Sequence, residues 1–170
     1  MCLRIISATG RRSRKYLFII FDFCLRLFQK YRKGVSTELV SSLYDCFQGI
    51  TWYLQLSMNE AFAMVERGEC VGEEAFGQIL NHLVDSKRFA FEDRYASLPE
   101  KQKTVLQAIA SEFPNQVTPT SRDFMEKYKL KTASSVQTAL KGLVEKGIIS
   151  DSHSIKRPTD LLFVLWLKNF

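Results

Sequence analysis

Three helix-type patterns in close succession, in the C-terminal half of the chain, constrain the fold most. Apolar residues recur there at spacings of three and four, which is typical of helices that bury one face. The predicted helices run from Leu98 to the break at Pro114, over Arg122–Tyr128 and over Ala133–Lys146. Pro99 favours the first turn of the first helix, Thr132 supplies an N-cap hydroxyl for the third, and Gly147 ends it. Only the short turn Lys129–Lys131 separates the last two helices.

Two apolar runs follow the third helix and predict a β-hairpin. The first is Ile148-Ile149-Ser150 and the second is Leu161–Leu167, with the polar stretch Asp151–Pro158 between them. Three helices with a tight turn before the last, followed by a hairpin, are the layout of a winged helix-turn-helix domain. We therefore expect residues 98–170 to form such a domain. A helix over Leu161–Leu167, or exposure of Val136, Leu140 and Leu143 to water, would contradict this prediction.

The preceding part of the chain predicts four more helices. They are expected over 16–33, from Ser36 to Phe47, from Trp52 to Glu66 and from Gly72 to Ser86. Ser36 and Thr51 are the predicted N-cap residues of the second and third of these helices. Residues 1–15 show no sustained periodicity and are predicted to be a ragged basic end. The predicted fold class is therefore mainly α, with a helical segment over 16–97 ahead of the winged helix-turn-helix domain and its C-terminal β-hairpin.

The net charge of +6 invites a nucleic-acid interpretation, but most of it lies near the N-terminus. Residues 1–33 hold nine Lys/Arg against one acidic residue, and residues 34–97 hold four against ten. Residues 98–170 hold eleven against seven, so the predicted winged helix-turn-helix domain is only mildly basic.

The apolar run Tyr16–Phe28 is too short for a membrane span. It has 13 residues and includes Asp22 and Arg26, whereas a transmembrane helix needs about 20 apolar residues. We therefore expect a cytoplasmic chain with no membrane partner. The four cysteines form no CxxC pair and are expected to be free thiols. They are Cys2, Cys24, Cys46 and Cys70.

No pattern typical of a catalytic or metal site is found in the sequence. It contains no GxxxxGK[ST] or GxGxxG phosphate loop and no GxSxG nucleophile turn. The two histidines, His82 and His153, are too few for a metal cluster and are interpreted as a structural and a solvated residue. We therefore expect no enzyme activity, no metal and no cofactor in this chain.

If Ala133–Lys146 is a recognition helix, its polar side chains face outward. Gln can bond adenine with two hydrogen bonds, Ser and Thr can bond bases or phosphates, and Lys and Arg can meet phosphates. The candidate nucleic-acid contacts are Ser134, Ser135, Gln137, Thr138 and Lys141 of the helix, Lys131 of the turn, and Lys156 and Arg157 of the predicted hairpin.

The same helix face lacks the residue most used for specific base recognition. It contains no arginine, and arginine bonded to guanine is the commonest specific contact. Many domains of this layout bind proteins or pack against a neighbouring domain instead. The residues therefore leave two partners open, double-stranded DNA and a protein.

Several stretches together resemble a known family. They are the segment 47–55 (FQGITWYLQ) with Asn59, the segment 98–110 (LPEKQKTVLQAIA) leading to Pro119-Thr-Ser121, the segment 133–140 (ASSVQTAL) and the segment 160–167 (DLLFVLWL). Over about residues 16–170 the chain resembles the C-terminal half of prokaryotic AAA+ ATPases of the archaeal and Bacteroidetes kind. The resemblance implies a helical lid over 16–97 followed by a winged-helix domain, with ATP and Mg²⁺ as ligands of the full-length family only.

The sequence departs from that family because the nucleotide-binding domain, with its phosphate loop and metal-binding acidic strand, is missing. The resemblance then implies a truncated member, a split gene product or a fragment without hydrolysis of its own. Three functions stay open. The chain is a binding module for DNA or a protein, or the regulatory lid half of an ATPase whose nucleotide-binding domain is missing or supplied in trans, or a free-standing transcription regulator.

Overall fold

The structure, a computed structural model, describes residues 11–152 and 155–169. Within those residues the backbone forms nine α-helices and four short strands, so the fold is mainly α as predicted. The chain divides between Leu83 and Val84 into two compact units, which are described separately. No helix in the described part is long and apolar enough to cross a membrane.

The N-terminal unit contains the four predicted helices, and the last of them ends at Asp85, just past the boundary between the units. Their bounds are α1 (Arg11–Lys30), α2 (Thr37–Cys46), α3 (Thr51–Met64) and α4 (Phe76–Asp85), which a 3-10 turn (Glu73–Ala75) precedes. Part of the predicted ragged end is helical, because α1 begins at Arg11, while residues 1–10 lie outside the described residues. Ser36 caps α2 as predicted, and its hydroxyl oxygen accepts a 3.1 Å hydrogen bond from the Leu39 amide. Thr51 is not an N-cap, since Ile50 holds that position without a side-chain hydrogen bond.

A pair of two-residue parallel strands in this unit has no counterpart in the sequence analysis. β1 (Gly34–Val35) pairs with β2 (Cys70–Val71), and the amide of Gly34 donates to the carbonyl of Glu69 at 2.7 Å. The two backbones approach closely, because a Cβ on Gly34 would lie 3.0 Å from the Cys70 Sγ atom. Strands this short carry no alternating pattern, so only their tertiary pairing reveals them.

The core of the N-terminal unit is built from aromatic and aliphatic side chains. Phe28 of α1 meets the edge of Phe62 at a centroid distance of 5.2 Å, and Phe47 stacks on Tyr53 at 5.0 Å. Gly49 ends the turn after α2 with a φ of +74°, in the left-handed region that glycine favours. A Cβ at this position would lie 2.8 Å from the Tyr44 hydroxyl oxygen.

The C-terminal unit contains the predicted helix-turn-helix. Its helices are α5 (Arg88–Ala96), α6 (Glu100–Glu112), α7 (Arg122–Lys127), α8 (Ala133–Glu145) and α9 (Leu161–Lys168). Pro99 precedes α6 as its N-cap residue instead of opening its first turn. The hydroxyl of Ser121 caps α7 and that of Thr132 caps α8. Lys129 in the turn between them has a φ of +52°.

The prediction that Leu161–Leu167 forms the second hairpin strand is wrong, because these residues lie in α9. The Asp160 carboxylate accepts hydrogen bonds from the amides of Leu162 at 3.0 Å and Phe163 at 3.3 Å, and so starts a helix. A continuous apolar run does not distinguish a buried strand from a helix that is buried on most sides. The hairpin instead pairs β3 (Ile149–Ser152), which overlaps the predicted first strand, with β4 (Ile155–Pro158), which lies in the stretch predicted as a polar loop.

The core of the C-terminal unit lies between α6, α8 and α9, with α5 against α9. Phe91 of α5 approaches Phe163 and Trp166 of α9, with ring centroids 5.3 Å and 6.1 Å apart. The side chains of Leu106 and Leu143 are fully buried in this core. Helix α6 therefore contacts both α8 and α9, and the wing joins this core through β3, which packs against α8.

Candidate functional site

The candidate recognition helix α8 has one buried and one exposed face, as predicted. Its buried side chains are Val136, Ala139, Leu140 and Leu143. On the opposite side, Ser134, Thr138 and Lys141 are exposed, and their spacing of four and three places them in one line. This line continues to Glu145, which places an acidic group at the end of the exposed face.

The first turn of α8 is held by local hydrogen bonds that involve three of the candidate contacts. The amide of Ser135 donates to the Thr132 hydroxyl oxygen at 3.2 Å, and Ser135 is half-buried. The Thr138 hydroxyl donates to the Ser134 carbonyl at 3.0 Å. The Thr138 oxygen keeps its lone pairs and can still accept a hydrogen bond from a partner.

A groove of about 500 Å³ lies beside this face, between α8, the wing and the segment before α7. It brings together three of the eight candidate contacts, namely Gln137, Lys141 and Lys156. The remaining lining residues are Thr118, Pro119, Thr120, Leu140, Val144, Glu145 and Asp151. We call this the α8–wing groove. Its lining combines apolar side chains with charges of both signs.

The cations of the α8–wing groove have acidic neighbours. The Lys156 ammonium pairs with the Asp151 carboxylate, which stands opposite it in the hairpin register. The Lys141 ammonium lies 3.9 Å from the Glu145 carboxylate, one turn along the same helix. Both groups of the second pair are largely exposed, so it is easily exchanged for another partner.

The other two cationic candidates lie outside the α8–wing groove. Lys131 is exposed in the turn before α8, and Arg157 is exposed on β4. Neither side chain forms an ion pair with any residue that the structure describes. The Arg157 carbonyl accepts a 3.2 Å hydrogen bond from the Ser150 hydroxyl, which links the two strands of the wing.

The helix before the turn is fixed to α6 by a hydrogen-bonded group around Glu112. Its carboxylate accepts from the Lys127 ammonium and, at 2.6 Å, from the Tyr128 hydroxyl. The hydrogen bond from Lys127 is the main cause that lowers the pKa of Glu112, and the bond from Tyr128 adds to it. Burial and the Glu112 hydrogen bond raise the pKa of Tyr128. These contacts set the position of α7 and of the turn that carries Lys131.

Sequence reasoning missed the segment Thr118–Thr120 as part of the candidate site. It also missed Glu145 and Asp151, which accompany the candidate lysines. Of the two histidines, His82 is exposed and its Nδ1 lies 2.7 Å from a Glu60 oxygen, while His153 lies outside the described residues. No group of three potential metal ligands occurs among the residues that the structure describes.

Comparison with known proteins adds one finding, which concerns the C-terminal unit. Residues 89–169 match the sequence model of a family described as a probable winged helix domain. No curated protein and no solved structure matches the chain. The match does not extend to the N-terminal helices, so the resemblance to AAA+ ATPases stays a prediction. The helix-turn-helix of α7 and α8, the hairpin of β3 and β4 and the family match together identify residues 89–169 as a winged helix domain.

Proposed function

We propose that the winged helix domain is a binding module whose partner is duplex DNA, and that α8 and the wing form its contact surface. The observation that supports this proposal is the α8–wing groove, where Gln137, Lys141 and Lys156 meet from two different elements. In helix-turn-helix proteins the second helix enters the major groove, and its N-terminal residues contact base edges. The exposed Ser134, Gln137 and Thr138 occupy that part of α8.

Phosphate contacts in this proposal come from the turn and the wing. Lys131 and Arg157 are both exposed cations. Lys131 precedes α8 in the chain, and Arg157 follows it in the wing. Lys141 and Lys156 first have to leave Glu145 and Asp151, which lowers the gain from each phosphate contact. We therefore expect weak, strongly salt-dependent binding with little sequence preference, because phosphate contacts dominate such affinity.

The test is the affinity of the full chain for a labelled duplex, measured by fluorescence anisotropy between about 50 and 200 mM salt. Lys131→Ala and Arg157→Ala should each weaken binding and reduce the slope of log K against log salt by about one. Gln137→Ala should weaken binding without changing that slope. Lys101→Ala removes an exposed lysine from α6 and serves as the matched control. Equal losses for the control and the two site variants would refute the proposed surface.

A protein partner is the second candidate, and a specific observation favours it. Glu145 and Asp151 contribute negative charge to the α8–wing groove, and this charge repels a phosphate backbone. If the chain fails to bind duplex DNA even at about 50 mM salt, this candidate replaces the first. The function of a free-standing transcription regulator requires DNA binding, so a failure to bind duplex DNA would exclude it as well.

The relationship to AAA+ ATPases is also a proposal, and its support is the sequence resemblance over about residues 16–170. Under it the chain is a non-catalytic part that serves a nucleotide-binding domain in trans. We expect the isolated chain neither to bind ATP nor to hydrolyse it, with or without Mg²⁺. ATP hydrolysis by the purified chain, retained through successive purification steps, would contradict this proposal.

A further inference from the structure

Over residues 19–28, helix α1 carries two rows of apolar side chains, and the described part of the chain covers only one of these rows. Cys24 and Phe28 are buried against the N-terminal unit, with exposed fractions of 7% and 1%. On another side of the helix, Ile19, Phe23 and Leu27 are 57%, 66% and 39% exposed. They follow one another at a spacing of four residues, so they form a continuous line about 12 Å long. We call this line the α1 stripe.

The α1 stripe is more than scattered surface apolar residues. Single exposed apolar side chains are normal in soluble proteins, whereas a contiguous patch marks an interaction surface. Tyr31, just beyond the helix, is 45% exposed, and the Trp52 ring in the same unit is 54% exposed. Aromatic residues with a polar group of this kind are enriched where an apolar phase meets water.

The charge of α1 indicates what covers the stripe. The helix sequence holds six Lys/Arg and one acidic residue, and that residue, Asp22, pairs with Arg26 at 2.8 Å. A contact of α1 with α1 between two copies of the chain would bring two equally basic helices together, which like-charge repulsion opposes. Nucleic acid offers negative charge but little apolar surface to a row of aliphatic and phenyl groups. An anionic lipid surface offers both negative headgroups and an apolar interior.

We propose that α1 lies along the surface of an anionic lipid bilayer, with the α1 stripe inserted at the boundary of headgroups and acyl chains. Basic helices with Phe, Ile and Leu on one side bind membranes in this orientation without crossing them. The sequence predicts no membrane partner, because the run Tyr16–Phe28 is too short to span a bilayer. A helix that lies on the bilayer surface does not have to span it, so the proposal departs from that prediction. This inference concerns the N-terminal unit and does not depend on the DNA-binding proposal.

The test is sedimentation of the full chain with phosphatidylcholine vesicles, with and without phosphatidylserine. We expect binding only to the vesicles that contain phosphatidylserine, and weaker binding as the salt concentration rises. Phe23→Ala should lower the vesicle affinity by about tenfold, since most of a phenyl group no longer enters the bilayer. Phe89→Ala is the matched control, because this phenylalanine is 82% exposed in the other unit. Its affinity should equal that of the unchanged chain.

Three results would overturn the proposal. The first is the absence of binding to either kind of vesicle. The second is an equal vesicle affinity of the Phe23→Ala variant and the unchanged chain. The third is an equal affinity for vesicles with and without phosphatidylserine. Light scattering after size-exclusion chromatography tests whether a second copy of the chain occupies the α1 stripe instead. A dimer that Phe23→Ala dissociates, without vesicle binding, would assign the α1 stripe to a second copy of the chain. Phe23→Ala should leave the duplex DNA affinity unchanged, which keeps the two proposals separable.

Discussion

The N-cap of α9 can be tested at Asp160, where the carboxylate accepts hydrogen bonds from two backbone amides, at 3.0 Å and 3.3 Å. Asp160→Ala leaves both amides without this acceptor, which costs about 1 to 2 kcal/mol for an N-cap. Asp160→Asn keeps an acceptor oxygen and loses only the attraction between a negative charge and the helix N-terminus, about 0.3 to 1 kcal/mol. The expected order of stability is therefore the unchanged chain, then the Asn variant, then the Ala variant.

The assay is thermal unfolding followed by far-ultraviolet circular dichroism at low and high salt. For a unit of this size, about 1 kcal/mol shifts the midpoint by roughly 4 to 8 °C. The difference between Asp and Asn should shrink at high salt, because salt screens the helix dipole, whereas the difference between Asn and Ala should persist. An Ala variant as stable as the unchanged chain would refute the cap as the feature that starts α9. An Asn variant as unstable as the Ala variant would do the same.

Three further predictions concern single residues, one in the C-terminal unit and two in the N-terminal unit. The pKa of Glu112 is lowered in the folded chain, mainly by the hydrogen bond from Lys127. The ionised carboxylate therefore contributes to the free energy of unfolding at neutral pH. This contribution should be lost as the pH falls below about 4.3 and through the lower folded pKa, and Glu112→Gln should remove this part of the pH dependence of urea unfolding. Gly49→Ala should destabilise the N-terminal unit by about 2 to 4 kcal/mol, because it adds left-handed strain and a clash with a buried tyrosine ring. Gly77→Ala, in open space on α4, should instead stabilise it by up to about 1 kcal/mol in the same denaturation experiment.

Local signals account for the parts of the fold that the sequence predicts well. Helix α8 has a capping hydroxyl at Thr132, a regular apolar spacing and a terminating glycine, and all three act within a few residues of one another. The continuous apolar run Leu161–Leu167 predicts a strand, whereas the structure shows a helix that Asp160 caps. The aspartate determines the outcome, because its carboxylate binds the first amides of the helix.

The candidate site was predictable only as far as it depends on a single element. The exposed face of α8 follows from its period, and the structure places Gln137 and Lys141 on it. The pairing of Lys156 with Asp151 depends on the hairpin register, which a wrongly placed second strand could not provide. The segment Thr118–Thr120 joins the α8–wing groove through tertiary packing, for which no local pattern exists.

The contact between α5 and α9 affects how the winged helix domain can be shortened. The Phe91 and Tyr95 rings cover the α9 rings Phe163 and Trp166, although the whole segment 97–160 lies between the two helices in the chain. A fragment that begins at Leu98 keeps the whole helix-turn-helix and the wing, yet it uncovers two large aromatic rings at once. Such a fragment should aggregate or lose its fixed packing, whereas one that begins ahead of Arg88 retains both layers of rings.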